Sequence, residues 1–203
     1  MNKEWVILMN KLKLLALGVA FAATSGAANA AIYYADEVIS ANYGTCTGGS
    51  RCDNDDRLNV NNALGEPDDS FYSLGFGGDL TVGFAQDLFT GLQEVVALEV
   101  TFGSVPAAMH FESADVYSVL GGVETFLGEI SNVSGGGRVT SVGPFEYIKL
   151  VDTTRETFAD TTSFDGFDVE SVSIAPVPLP AAGGMLLVGL AGMAALRRRN
   201  KSA

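Results

Sequence analysis

Asp115-Val116-Tyr117-Ser118-Val119-Leu120-Gly121-Gly122-Val123-Glu124-Thr125-Phe126-Leu127-Gly128-Glu129-Ile130 sets two strand-like runs on either side of a glycine pair. Turns that match the twist of paired strands need positive φ at their central residues, so two glycines between β-rich runs predict a two-residue hairpin. Outward from it, comparable runs occur at 32–40, 71–76, 79–84, 95–102, 138–142, 145–151 and 167–174. Turn signals separate them: Gly77-Gly78, Gly135-Gly136-Gly137, Gly143-Pro144 and Asp165-Gly166. In 79–84, Leu80, Val82 and Phe84 alternate with Asp79, Thr81 and Gly83, which predicts one buried face and one wet face. Val96, Leu98, Val100 and Phe102 are expected to be buried in the same way. No window from 31 to 176 carries an apolar period of 3.6 residues. Eight or nine short strands with frequent turns predict an all-β antiparallel β-sandwich or jelly roll.

The chain has 203 residues and a formal charge of −12, with a single histidine, two cysteines and twice as many acids as bases. A duplex-binding protein needs surplus Lys and Arg to displace counterions from phosphate, so nucleic acid is excluded as a partner. An apolar share of 47% also argues against a disordered acidic tail. The charges divide by region. Seven bases lie at the two ends, while residues 31–176 hold five bases against 23 acids, a charge of −18.

The ends have the composition of addresses. Lys11 and Lys13, an apolar run through Ala23 and the Ala28-Asn29-Ala30 triplet predict a signal peptide over 1–30, with the mature chain starting at Ala31. Met9 offers an alternative start that leaves out Glu4. At the other end, Val177-Pro178-Leu179-Pro180-Ala181 leads into a Gly- and Ala-rich apolar segment, 182–196, and then Arg197-Arg198-Arg199. As a helix, residues 181–196 would span roughly 24 Å against a hydrocarbon core of about 30 Å, a short transmembrane helix. The arginines act as a membrane stop and orient it by the positive-inside rule, leaving 31–176 outside the cytoplasm. The two prolines hold the preceding segment extended at the membrane surface.

These three parts, in order over residues 177–203, resemble the VPLPA variant of the PEP-CTERM sorting signal of Gram-negative surface proteins. The resemblance implies export, a single-pass membrane stage, C-terminal processing by an exosortase-type transpeptidase, and association with the cell envelope or an exopolysaccharide matrix. The body carries a second resemblance. Ala63-Leu64-Gly65-Glu66-Pro67-Asp68, Ser73-Leu74-Gly75-Phe76-Gly77-Gly78, Tyr147-Ile148-Lys149-Leu150-Val151-Asp152 and Gly166-Phe167-Asp168-Val169-Glu170 are similar to phrases of the ectodomain common in such proteins. That β-sandwich ectodomain is similar to galactose-binding-like jelly rolls, the fold the resemblance implies here. The chain departs from it at Gly91-Leu92-Gln93-Glu94-Val95, where relatives tend to carry a Gly-Pro-Asp turn.

Candidate chemistry is sparse. Cys46 and Cys52 enclose a glycine-containing loop, and export to an oxidising compartment predicts their disulfide. A zinc tetrahedron lacks the further Cys or His ligands it would need. Asp53, Asp55 and Asp56, with Asn54, Asn59, Asn61 and Asn62 beside them, are oxygen donors of the kind Ca²⁺ takes, so these acids are the expected metal site. An EF-hand is excluded, since Leu58 and Leu64 stand where its turn glycine and bidentate acid belong. Asp152, Asp160, Asp165 and Asp168 form a second acidic group, expected at one end of the sandwich. His110 reads as a strand-edge or loop residue, no Gly-x-Ser-x-Gly elbow occurs, and no nucleophile has a partner base, so the chain is not expected to be an enzyme. Two readings stand ahead of a glycan-active enzyme: a non-catalytic surface-displayed sandwich, and a calcium-dependent carbohydrate-binding module. Tyr43, Phe71 and Tyr72 are the aromatics nearest the acidic loop, while Trp5 departs with the signal peptide.

Overall fold

In the computed structural model the described residues are 31–53, 55–100 and 109–177. The signal-peptide segment 1–30 lies outside them, as do Pro178, Leu179, Pro180 and Ala181, the membrane segment 182–196, and Arg197, Arg198 and Arg199. Among the described residues no helix is long and apolar enough to cross a membrane.

The described residues form nine antiparallel strands in chain order: β1 (Tyr33–Asn42), β2 (Tyr72–Ser73), β3 (Asp79–Phe84), β4 (Gln93–Glu99), β5 (Ser113–Leu120), β6 (Val123–Ser131), β7 (Gly136–Ser141), β8 (Tyr147–Asp152) and β9 (Asp168–Pro176). The β5–β6 hairpin closes on Leu120 opposite Val123, with both central glycines at positive φ, as the glycine pair predicts. Apart from a single β6–β7 pair, the other strands pair out of sequence, in the order β1-β3-β8-β5-β6-β7-β4-β9-β2. β1 then returns to β9 through Tyr33 opposite Ile174 and Tyr34 opposite Ser173, so the pairing closes on itself. Two seams in this ring are thin. Besides β1–β9, β6 and β7 pair only at Ser131 and Gly136. The seams separate a face of β1, β3, β8, β5 and β6 from a face of β7, β4, β9 and β2, an all-β antiparallel sandwich.

The core lies between these faces. Leu80, Val82, Val95, Ala97, Val116, Ile148, Leu150, Val169, Val172 and Ile174 are buried in it. Phe89 and Phe145 stack at 5.2 Å and exchange backbone hydrogen bonds of 2.9 and 3.1 Å. Phe84 and Tyr33 meet Phe89 edge-on, at 5.5 and 5.4 Å.

Two expectations about facing need correction. In β4 the inward row is Gln93, Val95, Ala97 and Glu99, while Val96 and Leu98 are half-buried on the outer side. Both rows of 95–98 are apolar, so alternation within the strand does not choose a face. Pairing on both flanks, with β7 and β9, decides it. In β3, Leu80, Val82 and Phe84 are buried as expected, but Thr81 and Gly83 are buried as well. The Ile39 and Glu37 side chains of β1 lie over Gly83 and keep that face from water.

Candidate functional site

β4 and β8 end, and β5 and β9 begin, at one end of the sandwich, and acids gather there. Glu99 closes the inward row of β4. Glu112 directly precedes β5, and its backbone is gripped by Asn132. Glu112 N–H donates to Asn132 Oδ1 at 3.0 Å, and Asn132 N–H donates back to the Glu112 carbonyl at 3.1 Å. Asp165 and Asp168 lead into β9. Gly166 between them has φ +77°, and a Cβ there would meet Asp152 Oδ2 at 2.6 Å, so the turn that presents both acids requires glycine.

One carboxylate oxygen from each of Glu112, Asp165 and Asp168 lies within 4.8 Å of the other two. The three residues are 0%, 1% and 2% exposed. The cation facing them is Arg57, from the one-turn helix Asp55–Leu58. Its Nη1 stands 2.5 Å from Asp165 Oδ2 and 3.6 Å from Asp168 Oδ2. The guanidinium lies 5.0 Å from the Phe71 ring centre and 5.1 Å from that of Phe164, a cation held between two aromatic faces. The Cys46–Cys52 disulfide forms as expected, and its ring buttresses this arrangement. Thr47 N–H donates to the Phe164 carbonyl at 2.7 Å, and Gly48 lies so close to the Phe164 ring that a Cβ would collide with it.

Glu112 Oε1 accepts from Ser163 Oγ at 2.7 Å and lies 2.9 Å from His110 Nε2. Burial pushes Glu112 well above the usual carboxylate range, and the neighbouring charges of Glu99 and Asp165 raise it further, against the Ser163 hydrogen bond. Asp168 is pushed well up by burial and by Glu112 and Asp165, with Arg57 opposing. Burial also raises Asp165, again against Arg57. His110 is lowered by burial, so it is held toward its neutral form despite the surrounding acids. Asp165 Oδ1 and Asp168 Oδ1 are buried without a hydrogen-bond partner.

Asp152, nearby, is a contrasting buried acid. Its Oδ1 accepts from the N–H groups of Gly77 (3.0 Å) and Thr154 (3.3 Å), and its Oδ2 from Thr154 Oγ1 (2.6 Å) and Phe167 N–H (2.9 Å). Donors therefore meet both of its oxygens and oppose the burial that raises its carboxyl above the usual range.

Of the second acidic group, Asp152, Asp165 and Asp168 do meet at one end, while Asp160 is exposed. Asp53 and Asp56 of the expected calcium loop are exposed and stand outside the acidic trio found among the described residues. Asp55 opens the helix that carries Arg57. The loop asparagines serve its own folding: Asn59 Oδ1 accepts from Asn61 N–H at 3.2 Å, and Asn62 Nδ2 donates to the Asp56 carbonyl at 2.7 Å. Of the aromatics, Tyr72 is buried, Phe71 packs on Arg57 and Tyr43 is partly exposed. Arg57, Glu99 and Glu112 were not anticipated. The available signal was an acid in an apolar strand row and one arginine within an acidic loop.

At the opposite end the sandwich has a mouth. β6 and β7 diverge from their single pair toward the β5–β6 turn, leaving a groove of about 520 Å³. Ser118, Leu120, Val123, Thr125, Phe126 and Leu127 line one side and residues 140–144 the other. Val123, Phe126 and Val142 are 68%, 55% and 79% exposed there. Phe126 packs on Tyr117 across the strand pair, with ring centres 5.5 Å apart. Thr125 and Thr140 place exposed hydroxyl-bearing side chains along the rim.

No family model matches the chain, and no curated protein matches it. Among solved structures it is similar to the family 32 carbohydrate-binding module from Streptococcus pneumoniae EndoD, at 13% identity and TM-score 0.43 over 66% of this chain and 93% of that one. It is also similar to the family 32 module from C. perfringens NanJ in complex with galactose (13%, TM-score 0.43, 71% and 99%). A third is a CBM35 from Cellvibrio japonicus Abf62 (13%, TM-score 0.36, 72% and 92%).

Proposed function

We propose that this chain is an exported, surface-displayed, non-catalytic β-sandwich that binds saccharide in the groove between β5, β6 and β7. Signal peptide 1–30 exports it, and residues 177–203 hold it in the membrane until an exosortase-type transpeptidase processes them. It then belongs to the envelope or to an exopolysaccharide matrix.

The groove is the observation that carries the binding reading. Its volume falls in the range of small-ligand sites, and its lining pairs apolar surface with hydroxyl-bearing side chains. A pyranose ring has the same two aspects: C–H faces that lie on apolar and aromatic surface, and equatorial hydroxyls that hydrogen-bond at the edge. Phe126 provides the ring face, and Thr125 and Thr140 provide hydroxyls. No titratable side chain lines the groove, so saccharide bound there meets no acid–base pair among the described residues.

The test is a glycan array and titration calorimetry on the detergent-solubilised full chain, with Phe126→Ala as the variant. Binding to at least one glycan class is expected. Loss of the exposed ring should weaken it about tenfold, or about 1.4 kcal/mol, with the melting temperature down by only a few degrees from the lost Tyr117 contact. An array without hits, or affinity indifferent to Phe126→Ala, overturns the reading.

A further inference from the structure

We propose that carboxylate oxygens of Glu112, Asp165 and Asp168 together hold one Ca²⁺ at the end of the sandwich remote from the groove. The proposal stands apart from saccharide binding. Seven residue steps of β5, roughly 24 Å, separate Ser113 beside the acids from Leu120 at the groove.

Charge is the first argument. Glu99, Glu112, Asp165 and Asp168 bring four acids into one buried place, where Arg57 stands against Asp165 and Asp168 and His110 against Glu112. Buried carboxylates without compensating charge are costly, and one guanidinium does not offset a group of four. A divalent ion brings it near balance.

Unmet coordination is the second argument. Asp152, in the same end, shows what a buried carboxylate looks like when the protein itself satisfies it, with four donors on two oxygens. Asp165 Oδ1 and Asp168 Oδ1 have no such donor, although both atoms are shielded from solvent. Acceptors left in that state cost stability, and a cation is a partner that both can share.

The donors select the ion. One oxygen from each of the three lies within 4.8 Å of the other two, so a single cation can take all three. Ca²⁺ accepts carboxylate oxygens in flexible geometry, whereas Mg²⁺ demands near-ideal octahedral geometry and keeps several of its waters, which a buried site does not supply. An all-carboxylate donor set is also hard in character, which disfavours zinc. The competing account is that the acids share protons instead of a metal.

The experiment separates the two. Equilibrium dialysis of the detergent-solubilised full chain against Ca²⁺ at neutral pH should give one ion per chain. Millimolar Ca²⁺ should raise the melting temperature by roughly 5–10 °C over a chelator control at equal ionic strength. Mg²⁺ should produce a smaller shift. Glu112→Gln and Asp168→Asn should each abolish the bound ion, whereas Asp53→Asn combined with Asp56→Asn should retain it. Saccharide affinity of a folded Asp168→Asn chain serves as the independent control, since a failed groove leaves the calcium result standing. If the wild-type chain binds no Ca²⁺ and melts identically in chelator, protons hold the site and the proposal fails. It fails equally if the ion persists in Asp168→Asn and is lost with the Asp53/Asp56 pair. Dialysis and melting of the wild-type chain decide the matter even if a variant does not fold.

Discussion

Asp152 and Asp168 are buried to the same extent, yet they occupy opposite physical situations. Asp152 is a hub. Burial raises its pKa while its hydrogen bonds, led by Thr154, pull it down, and the N–H groups of Gly77, Thr154 and Phe167 converge on it. Through them one side chain ties the turn before β3, the end of β8 and the entry to β9. Asp152→Ala strands several buried donors at once and should cost about 3 kcal/mol or more of folding stability. Urea denaturation measures this, and a loss under about 1 kcal/mol would mean that water replaces the carboxylate. Asp168 has no comparable set of donors, which is why it belongs to the candidate site and Asp152 to the scaffold. In sequence the two are indistinguishable: each is an aspartate at a strand terminus.

At the scale of elements, the Cys46–Cys52 ring and the helix Asp55–Leu58 act as one support. The ring grips Phe164 through the Thr47 hydrogen bond and the close approach of Gly48, and Phe164 in turn stacks on Arg57. Replacing both cysteines with serine releases a seven-residue ring, worth roughly 2.4 kcal/mol by loop entropy. The double variant should melt on the order of 5–10 °C lower. Hydrogen exchange should show that protection is lost first at residues 44–58 and 163–166; uniform loss across all strands would contradict a local buttress. The disulfide itself was legible from two cysteines near in sequence. Its service to Arg57 was not, because Phe164 lies more than a hundred residues downstream.

For the whole molecule, the proposed export and processing would cut away the basic termini on either side of residues 31–176, which carry a charge of −18. Envelope material should contain a chain starting at Ala31 and lacking Arg197, Arg198 and Arg199, as read by intact-mass analysis. Retention of Lys201 on the mature protein would rule out the processing. Sequence by itself determined the all-β class, the nine strand positions to within a few residues, the β5–β6 turn and the disulfide, because each rests on local periodicity or neighbouring residues. Even there, strand 71–76 contracts to Tyr72–Ser73, since Leu74 N–H bonds Phe167 across the fold and Gly75 turns the chain. Only the tertiary structure decided which face of β4 is buried, where β6 parts from β7 to open the groove, and which of 23 acids share one buried place. Those outcomes depend on pairings between strands distant in sequence, and the alternation within a strand cannot say which neighbours will cover it.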